Sequence, residues 1–242
     1  MVGAVVILVV VVGVLVVFVG LPPSGTTSHY QRQYPADETR FVNILLDLHD
    51  TNVTISFTDD TSLMYSADVV QYSSGNQHYA YYQEWEDPHY SLDFHVDTVD
   101  GSRIQSVDIV LGTGTYYQIY IDGDNVDASV IFDNGANLAG QDFEMNAAPG
   151  NLYFELTEDV SFSEDGFKII GYGNTVDFDF VVDLPAGLNG RLEIDSTMTL
   201  GTHTMSGWSS IGANIWGTSS VTEPLLDIDV GWVGTVSFDF SD

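Results

Sequence analysis

Three carboxylates and an amide crowd one short stretch, Asp122-Gly123-Asp124-Asn125-Val126-Asp127. Oxygen-only side chains gathered at a turn are the hard ligands that Ca²⁺ takes. The spacing departs from a helix-loop-helix calcium loop, because Val126 stands at the fifth position and no Glu at the twelfth. Asp122, Asp124 and Asp127 are therefore a candidate calcium cluster or an acidic hairpin turn, and calcium is the one cofactor the sequence suggests. A second carboxylate-rich stretch, VDFDFVVDLPAGLNGRLEID at 176–195, sets Asp177 and Asp179 on one side of a strand and Val176, Phe178 and Phe180 on the other. Carboxylates two apart on a strand stand about 7 Å apart, a separation that glycoside hydrolysis can use. The same alternation recurs in LLDIDV and VSFDF. A repeated pattern of that kind describes the wet face of half-buried strands better than a catalytic pair.

Aromatic side chains gather in HYAYYQEWEDPHYSLDFH, residues 78–95. Tyr79, Tyr81, Tyr82, Trp85 and Tyr90 offer large contact area at small entropic cost, which suits stacking on a sugar ring or a protein partner. Packing of a surface loop and its hairpin is the alternative. His78, His89 and His95 lie there with Glu84, Glu86 and Asp87, but no pair has a zinc-motif spacing. No GxSxG is present. Gly112-Thr113-Gly114 and Gly171-Tyr172-Gly173 read as turns, with no lysine or helix start to make a phosphate loop. No catalytic residue is assigned, and the expectation is a protein that is not an enzyme.

Composition narrows the partners. The chain has 35 Asp+Glu against 5 Lys+Arg, a formal charge of -30. Nucleic-acid binding rests on basic contacts to phosphate, so that class is excluded. Such a charge opposes compaction unless cations screen it, which suits a salty setting or a cation-rich cell surface, archaeal or halophilic. Cysteine is absent, so neither disulfides nor thiolate chemistry contribute.

Residues 2–21, VGAVVILVVVVGVLVVFVGL, hold no charged or polar side chain. Twenty residues at about 1.5 Å each span the ~30 Å of a bilayer core, where the backbone must satisfy itself as a helix. The run is too long for a signal-peptide core. A single membrane anchor is expected at 2–21, followed by a polar stalk at 22–40. Arg32 and Arg40 after the segment favour an inside domain by the positive-inside rule. Dilution by Asp37 and Glu38, repulsion from an anionic cytoplasmic leaflet, and the glycosylation sequon Asn52-Val53-Thr54 favour the outside. An extracellular domain is expected.

From Phe41 onward, short period-two runs are cut by Gly, Asn, Asp and Pro, with no crossover helix. Strands are predicted at 41–48, 52–57, 106–111, 116–121, 126–132, 151–156, 167–170, 176–182, 190–195, 225–230 and 235–240. Turns are predicted at Asp122-Gly123, Asn134-Gly135, Pro149-Gly150, Asp165-Gly166 and Asn189-Gly190. The expected fold is all-β over 41–242, a stacked β-arch solenoid or a sandwich, with 41–100 as a possible separate N-terminal part.

Four phrases carry a resemblance: VDIVL before Gly112-Thr113-Gly114, VVDLPAG at 181–187, LEIDSTMTLG at 192–201, and LLDIDVGWVGTVSF at 225–238. Over about 105–240 they resemble the toastrack-type adhesin-like domains of the prokaryotic cell envelope, a β-solenoid family. In the last phrase Val233 displaces the family's second glycine by one place. The resemblance implies a right-handed stack of β-arches ending in a hairpin, a membrane tether, and no catalytic residue to carry over. The expected function is therefore a membrane-anchored surface β-domain for adhesion, envelope structure or envelope sensing. A filament or surface-layer subunit whose apolar N-terminus packs between copies is the alternative. A carboxylate-dependent glycan-active enzyme is a third reading. The anchor engages the membrane, a surface glycan or protein is the expected partner, and the oligomeric state stays open.

Overall fold

The computed structural model describes residues 25–33, 41–72, 79–85, 91–97, 104–138, 142–162, 166–218 and 225–241. Those residues are all-β. No helix among them is long and apolar enough to cross a membrane, and the 2–21 segment lies outside them.

β-branched and aromatic residues at every second position make strands, and here the strands lie side by side in parallel. Four are long and run through a bend: β2 (Phe41–Thr58), β7 (Tyr116–Phe132), β12 (Phe167–Asp183) and β17 (Leu226–Ser241). Three further rungs come in two pieces: β5 (Ser91–Asp97) with β6 (Ile104–Gly112), β9 (Asp142–Ala147) with β10 (Gly150–Leu156), and β13 (Gly190–Ile194) with β14 (Thr199–Met205). The rungs stack in the order β5/β6, β2, β7, β9/β10, β12, β17, β13/β14, all parallel. One end is closed by antiparallel strands, β4 (Tyr79–Trp85) on β5, β3 (Leu63–Tyr72) on β6 and β1 (Gly25–Gln33) on β3. The other end is closed by β16 (Ile215–Gly217) on β13 and β15 (Ser209–Gly212) on β16. Two short strands, β8 (Asn137–Leu138) and β11 (Ser161–Phe162), pair apart from the rest.

The stack is not in chain order. β2 lies between β6 and β7, and the last strand, β17, lies between β12 and β13/β14. Strands from 41–100 and from 104–241 thus share one fifteen-stranded sheet, and 41–100 is no separate part.

Five successive rungs turn a corner. β2 turns at Asp50 (φ 53°), β7 at Asn125 (φ 55°), β12 at Thr175 (φ 68°) and β17 at Trp232 (φ 86°), while β9 and β10 are joined through a cis Ala148-Pro149. Left-handed backbone suits Asn and Asp, whose short polar side chains tolerate it. The corners are bonded to the neighbouring rungs: the Asn125 amide donates to Asp50 Oδ1 at 2.8 Å, and buried Thr51 donates to the Ile104 carbonyl of β6 at 3.2 Å. Gly123 and Gly234 take matching places, since a Cβ on either would meet a backbone oxygen of the neighbouring rung, Leu48 at 1.8 Å and Val176 at 1.7 Å.

Inward side chains from both sides of the corner form one core. Phe57, Phe132, Phe154 and Phe180 run through it from rung to rung, with ring centroids 5.0, 5.2 and 5.9 Å apart.

Several expectations change. Asp122-Gly123 and Gly171-Tyr172-Gly173 are not chain reversals, because β7 and β12 run straight through them. The C-terminal phrase is not a hairpin either, since 226–241 is one strand with a corner at 232–234. Part of the expected stalk, Gly25–Gln33, is strand β1. The Asn134-Gly135 turn and the bend at Gly112-Thr113-Gly114 stand as read.

Candidate functional site

Parallel strands in register bring side chains of equal height about 4.8 Å apart across the sheet. Like charges at that distance oppose pairing. In a chain of charge -30, what stands beside each carboxylate decides whether the sheet holds. One outward row reads Ser106, Asn52, Asp127, Asn151, Asp177, Thr235, Thr199. Acids alternate with amides and hydroxyls along it. The Asn151 amide donates to the Asp127 carboxylate, and the Thr235 backbone N–H donates to Asp177 Oδ1 at 3.1 Å. The next row, Asp108, Thr54, Ser129, Tyr153, Asp179, Ser237, keeps acids apart along the parallel rungs, although Asp68 on β3 adjoins Asp108 at its end. Beyond the corner, Asp142, Lys168, Asp227 and Arg191 alternate in sign, with Arg191 donating to Asp227 at 3.0 Å and also to Glu193.

The carboxylates named from sequence follow this scheme only in part, since Asp122 is in register with Asp47, and Asp47 with Asp97, so acids adjoin at that height. Asp122 accepts from the Asn146 amide at 3.1 Å, Asp127 from Asn151, and Asp124 faces His49 at 3.5 Å. The three point to separate neighbours along one bent strand. Among the described residues no group of three or more His, Asp or Glu side chains is placed to hold a metal ion. Asn52 is exposed, but it lies within a strand paired on both sides rather than in the surface loop its sequon suggests. Tyr79, Tyr81, Tyr82 and Trp85 lie on β4, antiparallel to β5, with Tyr81 in register with His95. Tyr90, His78, His89, Glu86 and Asp87 lie outside the described residues.

The alternation breaks again inside the C-terminal rungs. Asp229 and Glu193 are register neighbours. Burial, then the Glu193 charge, raises the Asp229 pKa, and Lys168 and Arg191 offset this only in part. A carboxyl whose folded pKa is raised binds its proton more tightly when folded. Its stabilisation is present below the unfolded pKa and lost as pH rises through the folded one. At neutral pH the charged Asp229 therefore costs stability. Asp229→Asn should raise the melting temperature at pH 7 by up to about 4 °C, and the gain should shrink as pH falls towards 4. A melt unchanged at pH 7 would show that solvent screens the pair fully.

Between β10, β12 and β17 the outward rows leave a shallow groove of about 260 Å³, walled by Asn151, Tyr153, Asp177, Asp179, Thr235 and Ser237. The Tyr153 hydroxyl donates to Glu155 at 2.8 Å, and its pKa is pushed up to about 12, first by burial and then by that bond. It is a phenol held neutral, not a base. Asp177 and Asp179 are exposed. The groove offers donors and acceptors for recognition without the desolvated acid that glycosidic cleavage needs.

Sequence reasoning missed the corner beside this groove. Trp232 is 60% exposed and Val233 51%, on a left-handed backbone held by the Thr197 hydroxyl, which donates to the Trp232 carbonyl. At the matching corners of β2 and β7 the left-handed residues are Asp50 and Asn125. A bulky residue in that conformation is strained, so an exposed Trp there stands out as a contact residue. The signal lies in the phrase GWVG, which the resemblance places within a final hairpin.

No protein-family model matches this chain, and no curated protein is significantly similar in sequence. A crystal structure described as a "putative cell adhesion protein" from Clostridium sporogenes matches with a TM-score of 0.63 at 12% identity, covering 88% of this chain and 99% of that one. The two share a fold.

Proposed function

We propose that the chain is a membrane-anchored, cell-surface β-domain that works by adhesion and not by catalysis. The observation that carries this reading is a fold shared over 88% of the chain with a protein described as a "putative cell adhesion protein". The parallel rungs with aligned corners support the solenoid form of the expected fold. Residues 2–21 are the anchor, with the domain outside the cell. β1 begins at Gly25, so the domain sits a few residues from the bilayer rather than on a long stalk.

The contact surface in this reading is the corner at Trp232 and Val233 with the groove next to it. The Trp supplies an apolar platform, while Asn151, Asp177, Thr235 and Ser237 supply hydrogen bonds, a pairing that suits a neutral glycan or a polar protein loop.

The test separates binding from folding. Trp232→Asn relieves the left-handed backbone while removing little buried surface. It should stabilise the domain by about 1 kcal/mol in urea titration. The same substitution should lower binding of the full chain to an array of envelope polysaccharides by at least ~tenfold, as loss of a central Trp contact does. Wild-type chain that binds nothing on the array, or a variant that binds equally well, would sink the reading of this corner as the adhesive surface.

A further inference from the structure

Residues 196–222 contain no Asp, Glu, Lys or Arg, in a chain with 35 acids and 5 bases. The fold gathers residues 196–218 of it in one place. They supply β14, β15 and β16 and the turns between them, the end of the stack furthest from β1. Among the described residues β14 pairs only with β17, and β15 only with β16, so both present an open side to solvent. The surface is Ser, Thr and Gly with exposed apolar side chains set in it, Leu200 at 41% and Ile211 at 39%. Trp208 and Trp216 back it from beneath, 4.6 Å from Phe240 and 5.7 Å from Phe238.

We infer that this end is a self-association surface, where a second copy of the same chain docks by the same end. Two bodies of charge -30 repel each other over their acidic sheet faces. Contact between two charge-free ends lets copies meet without burying a carboxylate. An isologous contact satisfies that condition on both sides at once. The opposite end does not, since β1 and β3 bring Arg32 and the His29–Asp68 pair there. The bulges at Leu200/His203 and Ser210/Gly212 bend the two open strands, so the contact is a packed face and not one continued ladder. In such a pair the two β1 ends lie at opposite extremes. The inference is independent of the adhesion reading.

The absence of cysteine makes the test clean. Thr202→Cys and Ser210→Cys place a thiol on the proposed face, and Thr54→Cys places one on the acidic sheet face. Full-length protein in detergent is oxidised briefly and run on a non-reducing gel. The two end variants should give about tenfold more disulfide-linked dimer than Thr54→Cys, the ratio that ~1.4 kcal/mol of pairing gives. Adding Leu200→Asp and Ile211→Asp to Ser210→Cys should return crosslinking to the Thr54→Cys level with the melting temperature unchanged, because both side chains are exposed. End variants that link no better than Thr54→Cys overturn the inference. That result also covers a head-to-tail contact, which would leave each thiol facing a cysteine-free surface.

Discussion

Gly234→Ala should cost about 3 kcal/mol or more, against about 1 kcal/mol for Gly135→Ala. Both glycines lie at positive φ, 156° and 75°. A Cβ at 135 meets nothing within 4 Å, so that variant reports the backbone term alone. A Cβ at 234 would stand 1.7 Å from the Val176 carbonyl oxygen and 3.0 Å from the Val176 nitrogen. These are backbone atoms of β12, in register with Gly234. They cannot retreat without opening the β12–β17 ladder on both sides of the corner. Gly123 has the same relation to Leu48 across β2 and β7, so Gly123→Ala belongs to the same class. Urea titrations of the three variants would decide the matter. Equal losses at 135 and 234 would mean that the rungs do not approach as closely as the corners require.

The alternation of apolar and polar residues made the strands legible, and it made the carboxylates of VDFDFVVD legible as a wet face. It did not separate a corner from a hairpin. Both use Gly, Asn and Asp at positive φ, and the difference lies in where the next strand finds its partner. A local clue existed: inward residues run Leu46, Leu48 and then Val53, Ile55, and again Ile119, Ile121 and then Val126, Ala128. The period-two pattern shifts parity at the bend and resumes, as it does when a strand turns a corner while keeping its core side inward. β1 gave no such clue, because an edge strand with an intermediate-to-exposed alternation, GTTSHYQRQ, carries no apolar period. The interleaving of Asp127, Asn151 and Asp177 is a property of three strands at once. It became visible only with the register, as did the gathering of residues 196–218 at one end of the stack.

Ending the chain after residue 224 should abolish cooperative folding, although chain termini usually tolerate trimming. The last strand here is not peripheral. β17 pairs with β12 along its whole length, from Phe167↔Leu226 to Asp183↔Ser241, and with β13 and β14 on its other side. It buries Leu226, Ile228, Val230, Val236, Phe238 and Phe240. At roughly 1.5–3 kcal/mol for each such side chain, their loss matches or exceeds the ~5–15 kcal/mol that holds a typical domain together. The truncated chain would also expose facing edges of β12 and β13, an invitation to aggregation. Far-UV circular dichroism with thermal melting reads the outcome. A peptide spanning 225–241, added to the truncated chain, should restore a cooperative transition if the vacated slot is what was lost. A truncated chain that melts cooperatively close to the intact one would show that β12 and β13 close the gap by themselves, and the stacking order around β17 would then be wrong.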